Sequence, residues 1–125
     1  MTESCAVFIQ TGRATLEVAA KSLEGYGLTV ERVKERLVVS RPGSPSYVIR
    51  LVNEPHVIQK AAEIGAGTEH EAEMAVCGER FEIEIEDLAE ALDEINTLIE
   101  VQGALQDCSG GYLFVPWNGS LSKAW

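Results

Sequence analysis

The sequence of 125 residues predicts an α+β fold, a mostly antiparallel or mixed sheet with helices packed on one of its faces. Three observations predict this class. Apolar residues recur with helical spacing in some segments, they alternate with polar residues in the segments between, and 46% hydrophobic composition suffices for one core. The predicted order of elements is α-β-β-β-α-β-α-β. No linker rich in Pro, Gly or Ser divides the chain, so residues 1–125 are expected to form one domain.

The first segment is predicted as one long helix from Glu3 to Glu24. Its apolar positions are three or four residues apart, which is the spacing of one helical face. They are Cys5, Ile9, Gly12, Leu16, Ala19, Leu23 and Tyr26. A strand "CAVFIQ" followed by a helix is the alternative, but the continuous stripe favours the helix. Gly25 and Gly27 are expected to end it, because glycine tolerates the left-handed backbone of a helix C-terminus.

Residues 28–52 are predicted as three strands of a meander, since apolar residues recur there at every second position. The segment "RPGSPS" is typical of a hairpin loop, because its prolines fix turn dihedrals and donate no hydrogen bond. Asn53 as N-cap and Pro55 in the first turn then predict a short helix that Gly65 ends. The segment "TEHEAEMAVCGER" fits a loop or one or two helical turns.

The segment "RFEIEIE" predicts a strand with one buried face and one acidic face. Asp87 is expected to cap a helix that runs to about Gln106, where Gly110 and Gly111 follow. "YLFV" is predicted as the last strand, apolar on both faces as in a covered strand. Asn118 and Gly119 then predict a turn.

Composition excludes several classes of function. The formal net charge of −10 opposes binding to nucleic-acid phosphates, which requires clustered Lys and Arg. No apolar run reaches the length of a membrane span, and the N-terminus lacks the basic residues of a signal peptide, so a soluble, cytoplasmic protein is expected. Three cysteines without CxxC spacing are expected to be buried thiols in a reducing compartment.

The charge is unevenly distributed along the chain. Twelve acids and Arg80 as the single base lie between residues 69 and 100, whereas six bases and three acids lie between residues 28 and 60. The molecule is expected to be electrically asymmetric if the fold keeps these two segments on different faces.

No motif identifies a reaction, and the sequence predicts no enzyme activity, no cofactor and no metal site. His56 lacks a nearby nucleophile, and His70 among glutamates lacks a second histidine at ligand spacing. The candidate residues are therefore those of a binding surface for a protein. They are Glu82, Glu84 and Glu86 on the acidic strand, Asp93, Asn96 and Glu100 on the open side of the long helix, and Trp117 as an aromatic anchor. Trp117 fits either a cover for the edge of the core or an outward recognition residue.

The leading hypothesis is an acidic module that captures a basic protein partner, most concretely a bacterial immunity protein that neutralises a toxin. Clustered acids repel one another, so a function that uses them is a reason to keep them. The alternative is a secretion or assembly chaperone that dimerises through the N-terminal helix, since the predicted order resembles type III secretion chaperones in architecture alone. An enzyme or metal-binding protein that uses Glu82, Glu84 and Glu86 is the third hypothesis. The protein is expected to be a monomer or a homodimer.

Overall fold

The structure, a computed structural model, describes residues 3–123, which form seven strands and five helices. In chain order these are β1 (Glu3–Ile9), α1 (Leu16–Gly25), β2 (Thr29–Val33), β3 (Arg36–Ser40), β4 (Tyr47–Val52), α2 (Pro55–Gly65), α3 (Glu71–Met74), β5 (Glu79–Ile85), α4 (Leu88–Asp93), α5 (Ile95–Ser109), β6 (Tyr112–Val115) and β7 (Ser120–Lys123). In these described residues no helix has the length and hydropathy needed to cross a membrane.

The strands form one sheet in the order β2-β3-β4-β5-β1-β6-β7. Every neighbouring pair is antiparallel. Strand β1 lies between β5 and β6, so the first strand of the chain is a central one. The predicted α+β class with an antiparallel sheet is therefore confirmed.

The predicted helix from Glu3 to Glu24 is wrong, because β1 occupies its first part and α1 only its second. Cys5 and Ile9 are four residues apart, a spacing that satisfies a helical face and also one face of a strand. Val7 between them is buried on the same face, which only a strand allows. Thr15 begins α1, since its hydroxyl accepts a hydrogen bond from the backbone N–H of Val18 at 3.2 Å.

The order of helix, three strands and helix on which the chaperone hypothesis rests is present as α1, β2, β3, β4 and α2, with β1 before it. The long helix through which that hypothesis has the protein dimerise is not formed.

The meander prediction is confirmed by β2, β3 and β4, with "RPGSPS" as the connection between the last two strands. Leu37, Val39, Tyr47 and Ile49 point to one face and are fully buried. Together with alternate residues of β1 and β5, they form the main core under α1, α4 and α5.

The sequence predicts that all helices pack on one face of the sheet, but the helices lie on both faces. Helices α2 and α3 cover part of the other face of the sheet, where they form a second, smaller core. The reason lies in β1 and β6, which carry the buried aromatic residues Phe8 and Tyr112 on this second face. Val57 and Ala61 of α2 and Met74 of α3 exclude water from these rings.

The predicted helix from Asp87 to Gln106 is interrupted. Asp87 caps α4 as expected, since its carboxylate accepts from the N–H of Glu90 at 3.2 Å. Glu94 then leaves the helical region with φ −114° and ψ 62°, and α5 begins after it. Gly110 ends α5 in the left-handed conformation at φ 68°. Strand β6 matches the predicted "YLFV", and β7 is an additional strand that its polar sequence "SLSK" does not indicate.

Candidate binding surface

Of the three predicted carboxylates Glu82, Glu84 and Glu86, only Glu82 and Glu84 lie in strand β5. Phe81, Ile83 and Ile85 point into the main core, so Glu82 and Glu84 point to the second face. Their side chains are 21% and 46% exposed. Glu86 lies beyond the end of β5, next to the N-cap of α4, and is exposed.

Arginine side chains neutralise this row. Arg50 stands directly opposite Glu82 in the β4–β5 register and reaches Glu82 at 3.4 Å and Glu84 at 3.9 Å. Arg80 binds the other carboxylate oxygen of Glu82 at 2.6 Å, with its guanidinium 5.6 Å from the ring centre of Phe8. The basic and acidic segments therefore meet in neighbouring strands, and the charge separation expected from the sequence does not hold here.

The other predicted residues lie on the opposite side of the sheet. Asp93 and Asn96 are exposed on α4 and α5, the helices that cover the main core. Glu100 is half-buried and forms an ion pair with Arg41, which also donates to the backbone oxygen of Tyr26 at 3.3 Å. Because the sheet lies between them, the predicted residues of β5 and of the long helix do not form one continuous surface.

Acids without a cationic partner are concentrated around α4. Glu86, Asp87, Glu90, Asp93 and Glu94 all lie within nine consecutive residues that contain no base. Within residues 3–123, no Lys, Arg or His nitrogen approaches any of these five carboxylates within 4.0 Å. This segment therefore holds a dense group of acids without a cationic partner in the described residues, whereas the row on β5 is paired with arginines.

Three large aliphatic side chains are exposed beside these acids. Leu92, Ile95 and Ile99 are 45%, 36% and 54% exposed, although their spacing places them on the apolar arc of one uninterrupted helix. The break at Glu94 changes the direction of the chain between the two helices, so these residues do not continue the buried stripe. We call this region the α4–α5 surface. It comprises Glu86, Asp87, Glu90, Leu92, Asp93, Glu94, Ile95, Asn96, Ile99 and Glu100.

Tyr26 extends the α4–α5 surface and was not identified by the sequence analysis, which placed it on the buried stripe. It is 38% exposed and lies against Gly103, one helical turn after Ile99. Its hydroxyl donates a hydrogen bond to Asp107, and this bond raises the pKa of Tyr26. Its position between Gly25 and Gly27 at the end of a helix could have indicated this exposure, because the two glycines have no side chains to cover the ring.

Trp117 lies in the turn between β6 and β7 and packs half-buried against the main core. The turn is held by the N–H of Gly119, which donates to the oxygen of Val115 at 2.8 Å. Asn118 accepts from the N–H of Ser120 at 3.0 Å, so the predicted Asn-Gly turn is confirmed. Of the two interpretations of Trp117, covering the edge of the core is the one that its position matches.

The groups capable of chemistry are dispersed. Burial raises the pKa of the Cys5, Cys77 and Cys108 thiols to about 11, which keeps them protonated and weakly nucleophilic at neutral pH. His56 lies 3.7 Å from Glu54 at the surface, whereas the His70 ring lies 5.0 Å from that of Tyr112. In the part of the chain that the structure describes, no three His, Cys, Asp or Glu residues are arranged to hold a metal ion.

The α4–α5 surface thus combines exposed apolar side chains with acids that have no cationic partner in the described residues. Comparisons with protein families, with curated proteins and with solved structures found no match to this chain.

Proposed function

We propose that this protein captures a basic protein partner through the α4–α5 surface. A bacterial immunity protein that neutralises a toxin is the most concrete form of this function. The observation that carries the proposal is that five acids without a cationic partner in the described residues, in and around α4, lie in the same short segment as the exposed Leu92, Ile95 and Ile99.

The contrast between the two acidic regions supports this choice. On β5, the arginines Arg50 and Arg80 offset the repulsion between carboxylates. Around α4, no cation does so in the described residues, and the repulsion lowers the stability of the folded state. A cationic partner would supply the missing counter-charge, and its field would accelerate the encounter.

The apolar side chains suggest how the encounter would become a stable complex. Charges at the rim of an interface mainly raise the association rate, whereas buried apolar anchors slow dissociation. Ile95 and Ile99 lie one helical turn apart on α5, and Tyr26, at the end of α1, lies against Gly103 one turn further along α5. The partner is therefore expected to present Lys or Arg residues around an apolar contact.

A cytoplasmic location belongs to the same proposal. All three cysteines are free, with Cys5 and Cys77 buried and Cys108 half-buried, a state that suits a reducing compartment. The net charge of −10 also favours a basic protein over nucleic acid as the partner.

Charge reversal on α4 tests the proposal. Proteins retained by the immobilised chain are identified and purified, and their affinity is measured by calorimetry for the wild type and for Glu90→Lys/Asp93→Lys. We expect a partner with net positive charge and an increase in Kd of about tenfold or more for this variant.

The matched control is Glu31→Lys/Glu63→Lys. It makes the same change in net charge at two exposed acids of β2 and α2 that form no ion pair within residues 3–123. We expect a change in Kd of about twofold or less. Equal effects of the two variants, or a partner without excess positive charge, would contradict the proposal.

A further inference from the structure

We infer that a cavity at the end of β1 binds a small organic monoanion, a carboxylate on an aromatic or branched aliphatic body. The cavity has a volume of about 190 Å³ and lies at the C-terminal end of α5, the opposite end from the α4–α5 surface. Its lining residues come from β1, the turn before α1, the α3 region, the end of α5, β6 and β7. The inference does not depend on the proposed protein partner.

Two cations line this cavity. Arg13 lies in the turn after β1, and Lys123 is the last residue of β7. Neither has a carboxylate oxygen within 4.0 Å in residues 3–123, although the chain has twenty acids and ten bases. The guanidinium of Arg13 extends over the end of α5, with Nη2 3.5 Å from the position that a Cβ on Gly110 would occupy.

Apolar side chains form part of the cavity wall, beside the polar side chains of Gln10 and Ser109. Phe8 and Ile9 are 1% exposed and Tyr112 is 8% exposed, and the Cys77 thiol beside them is protonated at neutral pH. Burial raises the pKa of Tyr112 as well, so its hydroxyl is protonated at neutral pH. A ligand with one charged end and one apolar end would match these two kinds of wall.

Size and charge limit the ligand further. The volume of about 190 Å³ is sufficient for a body the size of benzene, which occupies a cavity of roughly 150 Å³. Glu73 is the one acid among the lining residues that the structure describes, so the lining side chains carry two positive charges and one negative charge, and the C-terminal end of α5 adds a partial negative charge. A monoanion balances the net charge of the lining side chains, whereas a dianion such as phosphate meets repulsion from Glu73.

The test is a calorimetric titration with phenylacetate, with phenylacetamide as the neutral analogue of the same shape. We expect phenylacetate to bind with a Kd of about 1 mM or tighter and phenylacetamide to bind about tenfold more weakly. Inorganic phosphate is expected to bind more weakly than phenylacetate. An acetylated peptide that ends in phenylalanine, compared with its C-terminal amide, shows whether the carboxylate is also accepted at a chain end.

Variants assign the site. Arg13→Gln and Lys123→Gln should each weaken phenylacetate binding about fivefold to tenfold, and Glu73→Gln should strengthen it. Lys21→Gln, at an exposed base of α1 outside the cavity, is the matched control and should have no effect. Circular dichroism melting of each variant shows that it is folded. Equal affinity for the acid and the amide, no binding of either, or an unchanged affinity in Arg13→Gln would overturn the inference.

Discussion

Tyr47 is the residue where burial and hydrogen bonding conflict most directly. It is fully buried in the main core at the start of β4, and its hydroxyl has no hydrogen-bond partner in the described residues. Glu94 and Thr97, at the junction of α4 and α5, also carry buried oxygen atoms without a partner. Burial is the main cause that raises the pKa of Tyr47 to about 12, and the charge of Glu94 adds to it.

We predict that Tyr47→Phe raises the free energy of unfolding by about 1 kcal/mol at neutral pH, because it removes an unsatisfied buried hydroxyl. The wild type should also lose stability in alkali. The folded-state pKa lies above the ordinary value of 10.0, so the stability linked to the protonated hydroxyl is complete below pH 10 and is lost as the pH rises through about 12.

Urea unfolding between neutral and alkaline pH measures both effects. The advantage of Tyr47→Phe should grow above pH 10, where the tyrosine of the unfolded chain ionises before that of the folded protein. Tyr26→Phe is the control, because it removes a hydroxyl that has a partner, Asp107, and should give no gain in stability. A loss of stability in Tyr47→Phe would mean that its hydroxyl has a favourable interaction.

At the scale of single elements, the spacing of apolar residues predicts strands and helices well where it matches only a strand or only a helix. Strand β5 alternates between buried and half-buried residues over its whole length, and β3 and the first half of β4 alternate as well, so these strands are located from the sequence. Cys5 and Ile9 fit both periods, so the beginning of the chain is assigned correctly only once Val7 is known to be buried. The end of α4 has neither Gly nor Pro, and local propensity therefore did not indicate the break at Glu94.

The pairing of β6 with β1 depends on a glycine. A Cβ on Gly111 would lie 2.6 Å from Val7 Cγ1 and 2.8 Å from the backbone oxygen of Phe8. We predict that Gly111→Ala lowers the free energy of unfolding by about 2 kcal/mol, since a well-packed site cannot accept the added methyl group. Gly25→Ala, where no atom lies within 4 Å of the added Cβ, should leave stability unchanged or raise it in the same chemical denaturation experiment. Equal effects of the two substitutions would contradict this account of the close approach.

The α4–α5 pair also separates binding from folding. Ile99 is 54% exposed, so Ile99→Ala should change the free energy of unfolding by about 0.5 kcal/mol or less. If Ile99 is an anchor of the interface, the same substitution raises the dissociation rate of the partner complex about tenfold, which surface plasmon resonance measures. An unchanged dissociation rate would show that Ile99 is not an anchor of the interface.

At the scale of the whole molecule, the sequence predicts the α+β class and the excess of acid but not where that acid lies. Periodicity assigns each side chain to a face of its own strand, yet it does not tell which strands are neighbours. The antiparallel pairing of β4 with β5 places Arg50 opposite Glu82 and neutralises the row that was the first candidate site. Of the seven predicted residues, Glu86, Asp93, Asn96 and Glu100 lie on the α4–α5 surface, whereas Glu82, Glu84 and Trp117 lie elsewhere.

The central claim is that the partner binds the α4–α5 surface and not the charged face of the sheet. Mapping of backbone amide chemical shifts by NMR, with the purified partner added to the labelled protein, tests it most directly. We predict that the largest changes fall on residues 86–100 and on Tyr26, and that they diminish at high salt as screening weakens the charge contacts. Changes centred on Arg50, Glu82 and Glu84, with residues 86–100 unaffected, would contradict the claim.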